Sequence, residues 1–164
     1  MSVFLPDLIL ENVMCITPQL LEERGIRAIV LDVDNTLTSH GNPEPWEGVT
    51  EWLTLMKGLG IPLMISSNNT RERVEPFASR LGVDFVPMSC KPLPIGLSRA
   101  VKRFNLPKKQ VAIVGDQIFT DVLGGNLEGI QTILVKPFEE EQGRLFQLKR
   151  RFEQRFISAY YRKQ

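Results

Sequence analysis

Apolar residues along this chain come in short, dense blocks separated by longer stretches of mixed character. Five blocks stand out: Ile26 to Leu31, Ile61 to Ser66, Val83 to Val86, Val111 to Val114 and Ile130 to Val135. Runs of this length, rich in β-branched residues, predict strands buried on both faces. Between them the apolar positions fall at three- and four-residue spacing, as Val49, Trp52, Leu53, Met56 and Leu59 do within Trp46 to Gly60, which predicts a helix. The same pattern predicts a helix from a Thr70 cap to about Leu81, closed by Gly82 and made irregular by Pro76, and another from Pro94 to Phe104. A further helix should run from about Ile118 to Gly124-Gly125, and a long charged one from about Glu139 onward. Thr17-Pro18 and Gly25 frame a short helix ahead of the first strand.

Strands alternating with helices predict an α/β fold. We expect a three-layer, Rossmann-like arrangement with a five-stranded parallel sheet and helices on both faces. Right-handed crossovers bring the carboxyl ends of all strands to one edge, where ligands bind in such sheets. Asp32, Asp34, Ser67 and Asp116 each follow a predicted strand on that edge.

Composition narrows the function without naming it. A chain of 164 residues with 43% apolar and 24% charged content suits a single domain over 1–164. The net charge of +1 gives no global pull toward nucleic acid, and no nucleic-acid partner is expected. Asp7, Glu11 and Asn12 interrupt the apolar N-terminal stretch and no Lys or Arg precedes it, so neither a signal peptide nor a spanning segment is expected. Cys15 and Cys90 are read as reduced thiols at ordinary small core positions of a cytoplasmic protein.

Candidate chemistry begins at Asp32-Val33-Asp34-Asn35-Thr36-Leu37. Two carboxylates at i and i+2 on the carboxyl edge of a buried strand repel each other unless a cation or a retained proton intervenes. An acidic turn capping the next segment would use the same residues.

The ordered set of that run, then Ser67-Asn68, then Lys91-Pro92, then Gly115-Asp116 with Asp121 beyond it, resembles the haloacid-dehalogenase (HAD) phosphatase superfamily. The stretch Gly115-Asp116-Gln117-Ile118-Phe119-Thr120-Asp121-Val122-Leu123-Gly124-Gly125-Asn126, with Leu5-Pro6-Asp7 ahead of the first motif, looks like one capless bacterial and organellar branch, which includes phosphatidylglycerophosphate phosphatases. The resemblance implies a phosphomonoester hydrolase working through an aspartyl-phosphate intermediate. Asp32 would be the nucleophile and Asp34 the acid and base, with opposite protonation demands that environment must separate. Ser67 and Asn68 would meet the transferring phosphoryl oxygens, and Lys91 would supply fixed positive charge. An oxygen-only ligand set of Asp32, Asp116 and a main-chain carbonyl near Asp34 suits Mg2+, with Asp121 supporting Lys91 or the metal's waters.

The spacing also bears on substrate. About 29 residues separate Leu37 from Ser67 and about 23 separate Ser67 from Lys91. Each interval is filled by a loop, a helix and a strand, which leaves no room for a cap domain. An uncapped site admits a large phosphorylated substrate. A membrane lipid such as phosphatidylglycerophosphate is the foremost expectation; a soluble phosphate ester, a phosphoprotein or a nucleic-acid end is the alternative. Arg71 and Arg73, at the start of the helix after Ser67, are expected near a second phosphate of a lipid headgroup. The segment 144–164 reads as a basic amphipathic helix, with Leu145, Leu148, Phe152, Phe156 and Tyr160 recurring at helical spacing. Such a helix can lie peripherally on an anionic membrane or pack its stripe on the domain. Oligomerisation stays open, with a second subunit able to act as a lid. A non-catalytic receiver-type module shares the architecture, but the alternating acidic pair and the absence of an aspartate after the third strand weigh against it.

Overall fold

Every strand of the sheet runs parallel, and the order across it is β1 (Leu8–Leu10), β6 (Gln131–Val135), β5 (Val111–Gly115), β2 (Ala28–Leu31), β3 (Leu63–Ser66) and β4 (Asp84–Val86). The computed structural model describes residues 2–164. The central strands are β2 (Ala28–Leu31), β3 (Leu63–Ser66) and β5 (Val111–Gly115), flanked by β4 (Asp84–Val86) and β6 (Gln131–Val135). These are the five strands predicted from the apolar blocks. A sixth, β1 (Leu8–Leu10), pairs with β6 in the register Leu8 to Ile133 and Leu10 to Val135. It corrects the expected count: three residues are too short to show a period, and the segment is held by its neighbour.

Alternation along each strand sorts side chains to the two faces. Ile29, Leu31, Ile65, Ala112 and Val114 pack on one side beneath α1 (Pro18–Arg24), α2 (Val49–Gly58) and α3 (Arg71–Leu81). Ala28, Val30, Met64, Val111 and Ile113 face the other side, under Leu97, Ala100 and Val101 of α4 (Ile95–Phe104). A third cluster of Ile118, Val122 and Leu134 is covered by Phe156 and Ile157 of α6 (Arg144–Tyr161). The signals at the ends of α1 act as read: the Thr17 hydroxyl accepts the Leu20 N–H at 3.1 Å, and Gly25 closes the helix in the left-handed region.

Three expectations change. The segment from Ile118 begins as one wide turn (Ile118–Val122) and continues as α5 (Leu123–Glu128), so Gly124-Gly125 lie inside a helix and do not end it. A Cβ on Gly125 would stand 2.5 Å from Ile113 Cγ2 and 2.6 Å from Thr132 Cγ2, so close approach of helix to sheet requires that glycine. The last helix starts at Arg144, not at 139. Cys15 and Cys90 are free thiols but exposed, because both sit in surface turns and not in the core.

The last helix divides its stripe. Glu153, Phe156 and Ile157 turn inward, whereas Leu145, Leu148 and Phe152 are 83%, 50% and 46% exposed. Among the described residues no helix is long and apolar enough to cross a membrane.

Candidate active site

Parallel pairing carries β2 one residue past its named end, since the Asp32 N–H still donates to the Val114 carbonyl at 2.9 Å. The chain then curls: the Val33 carbonyl accepts the N–H groups of Thr36 at 3.2 Å and Leu37 at 2.9 Å, and Asn35 takes a left-handed φ of 58°. This turn leaves Asp32 facing the sheet edge and sends Asp34 toward the loop that follows. The Asp34 carboxylate accepts from Asn69 Nδ2 at 2.9 Å and from the Gly41 N–H at 3.3 Å. Arg73 stands 3.6 Å and His40 3.7 Å from it.

Lys91 joins the separate loops. Its ammonium donates to Asp32 Oδ1 at 2.8 Å, Asp121 Oδ1 at 2.7 Å and the Ser66 carbonyl at 2.9 Å, so all three of its hydrogens are used. Asn68 fixes the lysine backbone on both sides, accepting the Lys91 N–H at 2.8 Å and donating to the Lys91 carbonyl at 3.0 Å. Both polar ends of Asn68 therefore serve to hold Lys91. Burial would depress the lysine pKa, yet the facing Asp121 and Asp32 carboxylates more than offset it and hold the ammonium above its ordinary value.

The turn after β5 supplies the remaining acids. The Gln117 carbonyl accepts the N–H of Asp121 at 3.0 Å and of Val122 at 3.2 Å, which swings the Asp121 side chain back over Gly115. One oxygen each of Asp32, Asp116 and Asp121 lies within 4.8 Å of the other two. Burial raises the Asp32 pKa from 3.8 to about 7; Lys91 opposes the rise, and the Asp121 and Asp34 charges add to it. Asp116 is also pushed well above the carboxylate range, first by burial and then by Asp32, with Arg150 pulling the other way.

Predicted residues thus fall into two adjoining groups. Asp32, Lys91, Asp116 and Asp121 meet in one cluster. Asp34 and Ser67 line a neighbouring cavity of about 130 Å3 with Asn69, Arg73 and Arg80. Arg71 is elsewhere, 3.4 Å from Glu75 and 5.1 Å from the Phe85 ring centre. Two participants escaped the sequence reading. Asn69 was visible as part of the Ser67-Asn68-Asn69 turn. Arg150, whose guanidinium donates to the Asp116 carbonyl at 2.7 Å and contacts its carboxylate, carries no local signal.

Do these groups suit a divalent cation? Three carboxylates converge, the donors are all oxygens, and Asp116 Oδ1 is buried without any hydrogen-bond partner. A buried carboxylate oxygen left unpaired is costly, and a hard cation is the partner that such a set lacks. The residues fit.

A Rossmann-like parallel sheet thus brings converging acids and a buried lysine to its carboxyl edge, where ligands bind in open α/β sheets. Residues 39–129 match the family described as haloacid dehalogenase-like hydrolase. Over 98% of this chain and 93% of the relative's length, the chain is 41% identical to the Bacillus subtilis (strain 168) protein named probable phosphatase YqeG. The chain belongs to the haloacid dehalogenase-like hydrolases and is a phosphatase of that family. It is also 25% identical to the Arabidopsis thaliana phosphatidylglycerophosphate phosphatase 1, chloroplastic/mitochondrial, over 97% of this chain but only 49% of that protein, about half its length. Among solved structures, the Thermotoga maritima 4-nitrophenylphosphatase superposes with a TM-score of 0.59 at 13% identity, covering 74% of this chain and 89% of that one; it bears on the fold alone.

Proposed function

We propose that this phosphatase is a Mg2+-dependent phosphomonoesterase that forms an aspartyl-phosphate on Asp32, and that its substrate is phosphatidylglycerophosphate. The observation that carries the chemistry is the Lys91 ammonium held between Asp32 and Asp121 beside the unpaired oxygen of Asp116. With Lys91 on Asp32 Oδ1, the other Asp32 oxygen is left to attack phosphorus in line. The phosphorus–oxygen bond to the leaving group breaks as the bond to Asp32 forms, and Asp34 gives the departing alkoxide its proton. Asp34 then takes a proton from the water that opens the aspartyl-phosphate and releases inorganic phosphate. Asn69 and Gly41 orient the Asp34 carboxylate for both steps, and Ser67, which lines the cavity beside Asp34, would donate its hydroxyl to a phosphoryl oxygen. Asp32 and Asp116, with the main-chain carbonyl near Asp34, would hold Mg2+, which neutralises charge between the carboxylates and the phosphoryl oxygens.

Three features support a lipid substrate. Only α2 with its loops lies between β2 and β3, and only α3 between β3 and β4, so among the described residues no cap domain is inserted at the sheet edge. The outward face of α6 combines exposed Leu145, Leu148 and Phe152 with Arg144, Arg151 and Arg155, chemistry suited to peripheral contact with an anionic bilayer. The activity for which the Arabidopsis relative is named points the same way. Phosphate release should be measured with Mg2+ on phosphatidylglycerophosphate in mixed micelles and on soluble sugar phosphates. The lipid is expected to be turned over at least tenfold faster in kcat/KM; equal rates would favour the soluble-ester reading. Asp32→Asn should abolish release on every substrate, and full activity in that variant would refute the covalent route.

A further inference from the structure

The C-terminal helix touches the loop after β5 at consecutive points. Lys149 reaches Gln117 Oε1, Arg150 reaches both the carbonyl and the carboxylate of Asp116, and Glu153 accepts the Ile118 N–H at 2.9 Å. Glu153 is only 2% exposed and lies 3.0 Å from the Arg150 guanidinium. A continuous relay thus runs from the Ile118 amide through Glu153 and Arg150 to Asp116.

We propose that Arg150 is a positioning residue for the cation ligand Asp116, so that α6 completes the metal site from outside residues 39–129. This rests on the reading of Asp116 as a ligand. The Asp116 side chain is wholly buried and its two oxygens have different fates: Oδ2 is held by Arg150, while Oδ1 has no partner. Because the same guanidinium also donates to the Asp116 carbonyl at 2.7 Å, the residue is gripped at two points and its carboxylate cannot rotate freely. The oxygen left over is the one available to a cation.

Arg150 could instead act as a tethered rival cation. Its surroundings decide against that role. Glu153 at 3.0 Å and Glu141 at 3.5 Å share its charge, so its field at the site is largely balanced while its geometry is kept. A guanidinium offers the planar fork this grip uses, and an ammonium does not.

The full-length protein should be titrated with Mg2+ in the absence of substrate, reading the thermal unfolding midpoint, for wild type, Arg150→Ala, Arg150→Gln and Arg150→Lys. Loss of an orienting partner costs about 10- to 100-fold in metal affinity, so the Mg2+ midpoint of Arg150→Ala and Arg150→Gln should rise by that factor. Arg150→Lys should recover part of the loss. With p-nitrophenyl phosphate, the Mg2+ concentration that gives the half-maximal rate should rise by the same factor. Unchanged or tighter Mg2+ binding in folded Arg150→Ala overturns the proposal, as does a wild type that shows no Mg2+ response. If Arg150→Ala does not fold, Arg150→Lys carries the test, and an unaltered midpoint there overturns it equally. Wild type that binds Mg2+ in an Arg150-dependent way yet releases no phosphate would leave Arg150's role standing and sink the phosphatase mechanism alone.

Discussion

Lys91 and Asp32 are 59 residues apart in the chain and 2.8 Å apart in space, with the same ammonium also bound to Asp121 at 2.7 Å. The lysine side chain is 1% exposed, so its charge is balanced by protein and not by water. Replacing it with methionine would leave two buried carboxylates facing each other. Breaking a buried ion pair from one side costs about 3–5 kcal/mol. Lys91→Met should therefore lose about that much stability at pH 8, and less at pH 5, where the carboxylates can take up protons. Chemical denaturation at the two pH values checks this. Phosphate release should fall by roughly 10²–10³, the range for removing one charge-stabilising group.

Asp32 titrates near 7 in the folded protein without a cation, against 3.8 for an ordinary aspartate. Between those values the folded state holds a proton that the unfolded chain has released. Stability of the cation-free protein is therefore greatest at the acidic end and declines as pH rises from about 4 through 7. Asp116, raised for the same reason of burial, contributes in the same direction. The total swing should be on the order of a few kcal/mol, at about 1.4 kcal/mol per pH unit for one group. Mg2+ favours the ionised carboxylates, so its stabilising effect should grow over the same window. Unfolding midpoints in EDTA and in Mg2+ at pH 5, 6, 7 and 8 would show the two curves separating as pH rises, the EDTA curve falling further; parallel curves would contradict the assignment.

Gly115 fixes where Asp121 can lie. A Cβ there would stand 2.2 Å from Asp121 Cγ and 2.3 Å from its Oδ2, and both belong to the carboxylate that holds Lys91. Gly115→Ala should cost about 2 kcal/mol through overpacking and should also remove most activity by displacing Asp121. Gly58, at the end of α2, has nothing within 4 Å of the same construction. Gly58→Ala should leave activity unchanged and add about 0.5 kcal/mol of stability. Urea denaturation and phosphate release on the two variants separate the effects.

How much of this site could be read from the sequence follows from where each signal resides. Asp32, Ser67, Lys91 and Asp116 follow strands, or the loops after them, and a parallel sheet must deliver such positions to one edge. Period and punctuation therefore reached the edge at Asp32, Ser67 and Asp116, whereas Lys91 and Asp121 were singled out only by the resemblance of the ordered motifs. Asn68 is expected from the sequence to meet phosphoryl oxygens, whereas the structure turns both ends of its amide onto the Lys91 backbone, since the type of residue does not say which way it points. Arg150 lay beyond reach because it depends on how α6 docks, through Glu153 on a single backbone amide. β1 escaped for a different reason: three residues held mainly by pairing with β6 carry no periodicity. The glycines of α5 misled, since close helix–sheet contact and a helix stop use the same residue.

Asp34 is oriented by Asn69 at 2.9 Å and opens on the cavity shared with Ser67. A residue that protonates the leaving group matters most when that group is a poor one. Asp34→Asn should slow release from glycerol phosphate by roughly 10²–10⁴. It should slow p-nitrophenyl phosphate far less, because nitrophenolate departs without a proton. An equal loss on both esters would mean that Asp34 acts only on structure or on cation binding.

Arg71 and Arg73, paired in the sequence reading as headgroup contacts, are separated by the helix that carries them. Arg73 lies 3.6 Å from Asp34 and lines its cavity, whereas Arg71 pairs with Glu75 and lies over Phe85. A leaving group carrying a phosphodiester would bring its second negative charge to the Arg73 side. Arg73 is about half exposed, at 45%, so solvent screens the contact and its loss should cost no more than about tenfold in binding. Arg73→Ala should raise KM for phosphatidylglycerophosphate by about that factor with kcat little changed, and should leave glycerol phosphate almost unaffected. Arg71→Ala should behave as wild type on both substrates. If the two variants respond alike, or if Arg73→Ala weakens both substrates equally, the second phosphate is not read at this position.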